Sequence, residues 1–187
     1  TQPLDEYREQ RRGGQGKAAA SVKEEDLIQN LYVLSSHVQI LCFTTKGKVF
    51  WLKVYEIPVA SRTSKGRPLV NMLNLDDDER VSEILPVEEF SDKKFIFMAT
   101  RKGITKKTNL SLFARKWKSG IKAIKLDDDD RLIGTAITDG KQEILLASSA
   151  GKLIRFNEEK VRSMGRAARG VKGIKLKNCL LYTSDAA

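Results

Sequence analysis

Short apolar stretches recur along the chain, each bounded by Gly, Ser, Thr or Asp. They are rich in β-branched and aromatic residues, which is typical of strands, and the apolar spacing of an amphipathic helix is hard to find. The pattern therefore predicts an all-β protein. The predicted strands are VQILCF (38–43), KVFWLKVYEI (48–57), KFIFMA (94–99), EILLAS (143–148) and KLIRF (152–156).

Three of these strands lead into similar turns. The segments ILCFTTKG, IFMATRKG and ILLASSAG end at Gly47, Gly103 and Gly151, and a second strand follows each glycine. Glycine supplies the positive φ that a tight hairpin turn requires. The sequence therefore predicts three equivalent β-hairpins.

A second series of glycines recurs at intervals of about fifty residues, and each of these glycines ends a basic loop. We name the four copies loop I (RRGGQG, 11–16), loop II (SRTSKG, 61–66), loop III (RKWKSG, 115–120) and loop IV (GRAARG, 165–170). In each loop a cation stands at the same register before the final glycine. These cations are Arg12, Arg62, Lys116 and Arg166.

Loops II and III are each followed by a predicted strand, LVNMLNL (69–75) or IKAIKL (121–126). An acidic turn comes next, DDDER (76–80) or DDDDR (127–131). A period of about fifty residues with about four strands per unit indicates a propeller or a related radial array. In such an array each blade buries the faces of its neighbours, which a single blade cannot do alone.

The charge balance indicates what such an array binds. Thirty-four Lys and Arg residues against twenty-four Asp and Glu give a net charge of +10, which favours a polyanionic partner. Nucleic acid is the preferred candidate, ahead of an anionic membrane surface. Four cationic loops at equivalent places form a curved positive track that suits a bent phosphate backbone. The alternative is that the basic loops only keep the rim of the array soluble.

Several kinds of chemistry are not supported. Loop I and Gly16-Lys17 resemble a phosphate-binding loop, but Arg11 and Ala18 stand where that motif needs a glycine and a hydroxyl. The acidic turns lack the glycine and spaced ligands of a calcium loop. Two distant cysteines argue against a disulfide framework, and no nucleophile–base set is found. We expect no catalysis by this chain alone.

The stretch QRRGGQG (10–16) closely resembles a box characteristic of the C-terminal domain family of DNA gyrase A subunits, where it usually reads QRRGGKG. The segments PLDEYREQ (3–10), ILCFTTKGKVFWLKVYEIP (40–58) and SKGRPLVNMLNL (64–75) resemble that family too. The resemblance implies a β-pinwheel, a propeller-like array of four-stranded blades that exchange strands, here an incomplete arc of about three blades. It also implies that DNA wraps around the outer rim and that the box gives a type IIA topoisomerase its negative-supercoiling direction. Gln15 departs from the pattern and removes one positive charge.

From the loops and the resemblance together we expect DNA contacts in or beside the four loops. The resemblance implies no cofactor in this chain, since ATP and magnesium act elsewhere in the whole enzyme. It implies duplex DNA, the gyrase B subunit and a second A subunit as partners, and a bacterial, nucleoid-associated cytoplasmic location without a membrane. The expected DNA-binding residues are Gln10, Arg11, Arg12, Gly13, Gly14, Gly16, Lys17, Arg62, Lys65, Arg67, Arg115, Lys116, Lys118, Arg162, Arg166 and Arg169.

The repeat predicts a division of the chain, which lacks an initial Met and is expected to be a fragment. No acidic turn follows Leu176, so the repeat is expected to stop there. The predicted parts are the end of a first blade with the box (1–25), two blades (26–87 and 88–138), a partial blade (139–176) and an atypical tail of suspected non-native origin (177–187).

Two other functions stay open. One is the equivalent domain of a topoisomerase IV subunit, against which the intact-looking box argues. The other is a propeller-type scaffold for protein interactions that binds no DNA. That scaffold should carry uncharged or apolar loops and WD or kelch signatures, whereas the repeated loops here are basic.

Overall fold

The structure is a computed structural model that describes residues 1–7, 9–16, 28, 30–61, 64, 66–176 and 180–182. In these ranges the helical segments are 3₁₀ turns of three or four residues, and no helix is long or apolar enough to cross a membrane. The strands are β1 (Gln39–Thr44), β2 (Lys48–Lys53), β3 (Val81–Val87), β4 (Phe95–Thr100), β5 (Ile104–Asn109), β6 (Ile121–Lys122), β7 (Leu132–Thr138), β8 (Glu143–Ser148), β9 (Leu153–Asn157), β10 (Val171–Lys172) and β11 (Leu181–Tyr182).

The strands form three antiparallel sheets. Sheet 1 has the order β3-β1-β2-β6, sheet 2 has β10-β5-β4-β7, and sheet 3 has β11-β8-β9. The three predicted hairpins are present, and their turn glycines Gly47, Gly103 and Gly151 have φ of 73°, 82° and 71°. The prediction of an all-β array of about three blades is confirmed.

Neighbouring sheets exchange strands. Strand β6 lies in the chain between β5 and β7 of sheet 2, yet it pairs with β2 of sheet 1, where Ile121 faces Val49. Strand β10 lies between β9 and β11 of sheet 3 but pairs with β5 of sheet 2, where Val171 faces Thr105. This exchange is the pinwheel feature that the family resemblance implied. It also means that the predicted domain boundaries, which stay predictions, cut across shared sheets.

Strands β3 and β7 bring sheets 1 and 2 together at the opposite edge from the exchanged strands. The Ser82 hydroxyl donates to the Leu132 carbonyl at 3.2 Å, and the Leu132 amide donates to the Thr45 carbonyl at 3.0 Å. Buried residues of both sheets, including Phe43 and Met98, form one core. The blades are therefore stabilised by a shared interior, as expected for an array whose units cannot bury both faces alone.

One predicted strand is wrong. LVNMLNL (69–75) contains a 3₁₀ turn, Leu69–Met72, in which the Asn71 amide donates to the Pro68 carbonyl at 3.1 Å. Pro68 starts this segment and has no N–H to donate to a neighbouring strand. The corresponding segment after loop III is a strand only at β6.

The expectation that the repeat stops after Leu176 needs correction. Strand β11 pairs with β8, and the Leu181 amide donates to the Arg101 carbonyl at 2.9 Å, as Leu132 does to Thr45 in the preceding unit. The strand pattern thus continues through residues 180–182 without an acidic turn, because backbone pairing does not require acidic side chains. Residues 177–179 and 183–187 of the predicted tail lie outside the described residues.

Candidate nucleic-acid interface

Loop III lies at the outer edge of sheet 1. A 3₁₀ turn, Leu110–Phe113, leads into it, and the Asn109 side chain caps that turn by accepting from the Ser111 amide at 2.9 Å. The loop ends at Gly120, which has φ of 68° and lies against the ring of Phe50. A Cβ there would be 2.7 Å from the ring, so the close approach needs glycine.

The cations of loop III face solvent. Arg115, Lys116 and Lys118 are exposed, and Trp117 is 43% exposed. The Arg115 guanidinium lies 4.7 Å from the centre of the Trp117 ring, a cation–π contact that restricts the long arginine side chain. Sequence reasoning assigned these three cations to DNA, and the structure places all of them in one exposed loop.

Loop IV lies at the outer edge of sheet 2 in the same way. The Met164 amide donates to the Lys107 carbonyl of β5 at 2.8 Å. Gly170 has φ of 100°, and a Cβ there would lie 2.6 Å from the Thr105 carbonyl oxygen. The loop is therefore fixed along β5, as loop III is fixed along β2.

The three arginines of this region differ in their surroundings. Arg162 and Arg169 are exposed, and Arg166 is half-buried. Arg169 forms an ion pair with Asp127 in the preceding acidic turn, so part of its charge is already balanced. Sequence reasoning did not foresee this pairing, because the two residues are 42 positions apart.

The box (10–16) is shaped by bonds within its own residues. The Gly14 amide donates to the Arg11 carbonyl at 3.0 Å, and the Gly16 amide donates to Oε1 of Gln10 at 3.2 Å. Gly13 and Gly16 have φ of 90° and 68°, and a Cβ on Gly14 would lie 2.9 Å from Oε1 of Gln10. Gln10 therefore closes the turn, which leaves the side chains of Arg11 and of Arg12 exposed.

The segment that precedes the box contacts the segment that leads to loop II. The amino group of Thr1 donates to the Pro58 carbonyl at 2.9 Å, and the Ala60 amide donates to the Thr1 carbonyl at 2.9 Å. Beyond loop II, Arg67 is exposed. Lys17, Arg62 and Lys65 lie outside the described residues.

Two buried lysines that sequence reasoning missed donate hydrogen bonds to backbone carbonyls in and near the loops at the outer edge of sheet 2. Lys106 and Lys107 of β5 are buried, and Lys107 Nζ donates to the Glu158 carbonyl at 2.9 Å. Burial, and then the charge of Arg166, lower the pKa of the Lys106 ammonium to about 8. The sequence does contain a signal that these two lysines are buried. They stand three and four residues after the turn glycine Gly103, the positions that Phe50 and Trp51 take after Gly47.

Two lysines pair with the carboxylates of the first acidic turn (76–80). Lys48 Nζ lies 2.8 Å from Asp76 and 3.3 Å from the buried Glu79, and Lys46 pairs with Asp78. The hydrogen bond from Lys48 lowers the pKa of the Asp76 carboxyl. Across the described ranges no three His, Cys, Asp or Glu side chains are grouped to hold a metal ion.

A sequence model of the family described as "DNA gyrase C-terminal domain, beta-propeller" matches residues 2–35, 39–88, 94–139 and 142–179. Among curated proteins, the DNA gyrase subunits A of Haemophilus influenzae and Salmonella typhimurium are 53% and 52% identical over 175 residues, 94% of this chain. The chain spans about a fifth of the length of these relatives, 20% in each case.

Solved structures agree on the architecture. The crystal structure of the C-terminal domain of a DNA topoisomerase IV superposes with a TM-score of 0.79 at 28% identity, covering 89% of this chain and 54% of that one. A structure of a DNA gyrase A C-terminal domain has a TM-score of 0.68 at 25% identity, covering 96% of this chain and 58% of that one.

Proposed function

Because the chain belongs to the family of DNA gyrase C-terminal domains, we propose that it binds and bends duplex DNA along the outer edges of its blades. The observation that carries the proposal is the equivalent placement of loops III and IV. Each loop follows the second strand of a hairpin and ends in a short strand on the outer edge of the preceding sheet. A repeat that turns around a common axis presents such edges along an arc.

The binding should be mainly electrostatic. The exposed side chains suited to phosphate oxygens are Arg115, Lys116 and Lys118 of loop III, Arg169 of loop IV and Arg162 just before loop IV. The box adds Arg11 and Arg12, held outward by a turn that Gln10 closes. Contacts of this kind are weakly selective for sequence, so any preference should come from how easily the DNA bends.

We assign the rest of the reaction to other parts of a larger enzyme. Strand cleavage and ATP hydrolysis would take place in segments that lie outside this chain, together with a gyrase B subunit and a second A subunit, in the bacterial cytoplasm at the nucleoid. The domain would need no cofactor of its own. Its contribution to negative supercoiling would be the direction in which the DNA crosses itself.

Two observations separate this proposal from its alternatives. A topoisomerase IV domain shares the fold, but the curated relatives that are about half identical over nearly the whole chain are gyrase A subunits. A scaffold for protein interactions would present apolar surface at the repeated loops. Loops I, III and IV present exposed arginines or lysines instead.

The test is fluorescence anisotropy of a duplex of about 40 base pairs with two double variants, Arg11→Ala/Arg12→Ala and Lys116→Ala/Lys118→Ala. Each should weaken binding by about tenfold, since each removes two phosphate contacts. The matched control is Lys93→Ala/Lys94→Ala, two exposed lysines between β3 and β4, which should change affinity by less than about twofold. Equal losses in all three variants would mean that total charge, and not the loops, binds DNA.

The box variant has a second readout. DNA bending, followed by energy transfer between dyes at the two duplex ends, should fall more than affinity does, because the box would act on the path of the DNA. Unchanged supercoiling by a reconstituted enzyme with the same substitutions would show that the role assigned to the box is wrong.

A further inference from the structure

Lys106 is completely buried where loop IV meets the segment that returns from loop III. Its Nζ donates to the Ala123 carbonyl at 2.6 Å and to the Arg166 carbonyl. Ala123 directly follows β6, which carries loop III onto sheet 1, and Arg166 lies within loop IV. One side chain thus joins the backbone of loop IV to the residue that follows β6, the short strand into which loop III continues.

The corresponding place in sheet 1 is filled differently. In the first hairpin Phe50 faces Cys42 across the strand pair, and in the second hairpin Lys106 faces Met98. Phe50 fills the space against Gly120 with an apolar ring. Burial of an ammonium group opposes folding, whereas burial of a ring favours it. The lysine therefore supplies something that a ring cannot, which is hydrogen bonds both to loop IV and to the segment just after β6.

A second contact joins the same two segments. The Lys125 amide donates to the Ala168 carbonyl of loop IV at 3.1 Å. Lys106, at Arg166, and this backbone bond, at Ala168, both attach loop IV to the segment that follows β6 and restrict its movement relative to β6. Because loop III continues directly into β6, the positions of loops III and IV are linked.

We propose that Lys106 is a positioning residue that holds loops III and IV at the separation at which one continuous duplex contacts both. The proposal rests on the proposed function, since it concerns how the same loops act together. Two linked contacts gain affinity through a high effective concentration only when both can be engaged at once. Loss of the link should therefore affect long DNA and leave short DNA almost unchanged.

The charge of Lys106 gives a further signature. DNA phosphates near Arg166 should favour the protonated ammonium, whose pKa near 8 lies below that of ordinary lysines. The protonated form then binds DNA more tightly, so affinity is highest below pH 8 and falls as pH rises through 8. The other charged side chains on the segments packed around Lys106 are Lys107, Lys122, Lys125, Asp127, Glu158, Arg162, Arg169 and Lys172.

The experiment compares native chain, Lys106→Met and Lys106→Arg on duplexes of about 12 and about 40 base pairs, which are about 40 and about 140 Å long at 3.4 Å per base pair. We expect Lys106→Met to weaken binding of the long duplex by about tenfold and of the short duplex by less than about twofold. Lys106→Arg, which keeps the charge and the donors, should restore at least half of the lost affinity. Lys93→Met, the loss of one exposed lysine charge, serves as control.

The outcomes separate the two proposals. If the native chain binds neither duplex, the proposed function is wrong and this role fails with it. If the native chain binds both and Lys106→Met weakens both equally or neither, only the positioning role is overturned. If Lys106→Met does not fold, the pH profile of the native chain decides, because a long-duplex affinity that is unchanged between pH 7 and 9 contradicts the proposal.

Discussion

The two junctions between neighbouring blades have the same topology and opposite chemistry. At the first, β6 and loop III pack on sheet 1, and the ring of Phe50 fills the space beneath Gly120. At the second, β10 and loop IV pack on sheet 2, and the same position is taken by the ammonium-bearing Lys106. One junction is closed by an apolar side chain and the other by hydrogen bonds to backbone carbonyls.

The difference shows which features the repeat requires. Both junctions keep a short exchanged strand and a terminal glycine with positive φ, at Gly120 and Gly170. The side chain beneath the glycine varies, so register is set by backbone pairing, and the filling residue is free to acquire another task. At the first junction that task is stability, and at the second we assign it to loop position.

The largest expected effect is the loss of the apolar filling. Phe50→Ala should reduce the free energy of unfolding by about 3–5 kcal/mol, because it leaves a cavity under loop III. Lys106→Met should change it by less than about 1.5 kcal/mol, since an apolar chain avoids the cost of burying the ammonium. Urea unfolding followed by Trp fluorescence measures both. Equal losses at the two positions would remove the contrast between the junctions.

The terminal glycines test the shared part of the comparison. Gly170→Ala should cost about 2 kcal/mol or more, since it forces a left-handed backbone and a contact with the Thr105 carbonyl. Gly165→Ala, in the same loop but with open space around it, should cost less than about 1 kcal/mol. The measurement is thermal unfolding by circular dichroism. A Gly165 variant as unstable as the Gly170 variant would contradict the account of the junction.

A smaller effect is expected at the position next to the filling residue. The Trp51 indole N–H donates to the Phe113 carbonyl at 2.8 Å, and Lys107 at the matching position of β5 donates to the Glu158 carbonyl. Trp51→Phe should lower the free energy of unfolding by about 1 kcal/mol, because it leaves the Phe113 carbonyl without its donor. Urea unfolding gives the value. A neutral result would mean that water replaces the indole and that this bond does not hold loop III.

The smallest effect concerns the charge of loop IV. Asp127→Asn removes the ion pair of Arg169, in which both side chains are at least one-third exposed, so stability should change by less than about 0.5 kcal/mol. The released arginine should raise DNA affinity by about two- to threefold. Anisotropy titration measures it, with Asp92→Asn between β3 and β4 as the control for a lost negative charge. The same gain in both variants would show a general charge effect.

Sequence reasoning identified the parts that depend on local pattern. Turn glycines and apolar runs located the hairpins, and EILLAS coincides with β8, Glu143–Ser148. The sequence pattern predicts one strand over 48–57, but β2 ends at Lys53 and a 3₁₀ turn, Val54–Glu56, follows. Apolar residues continue there because the turn packs on the same sheet, so composition alone does not mark its end.

The features that depend on partners in space were out of reach. Strand β6 has two residues, too few for a pattern, and its pairing with the preceding sheet came only from the family resemblance. Lysine is a residue type usually found at exposed positions, so Lys106 gives no sign of burial by itself. Only the alignment of the repeats shows that it takes the place of the buried Phe50. The four basic loops were predicted, whereas the pairing of Arg169 with Asp127 was not, because sequence does not show which charges meet.

The central claim is that repeated basic loops bind the DNA backbone. Its most direct test is the affinity of the chain for a duplex of about 40 base pairs across a salt series. If about six phosphates are neutralised, log K should fall with a slope of about −5 against log salt, and the slope should become shallower in Lys116→Ala/Lys118→Ala. A flat salt dependence, or no binding by a folded sample, would contradict the account and favour a scaffold that binds proteins.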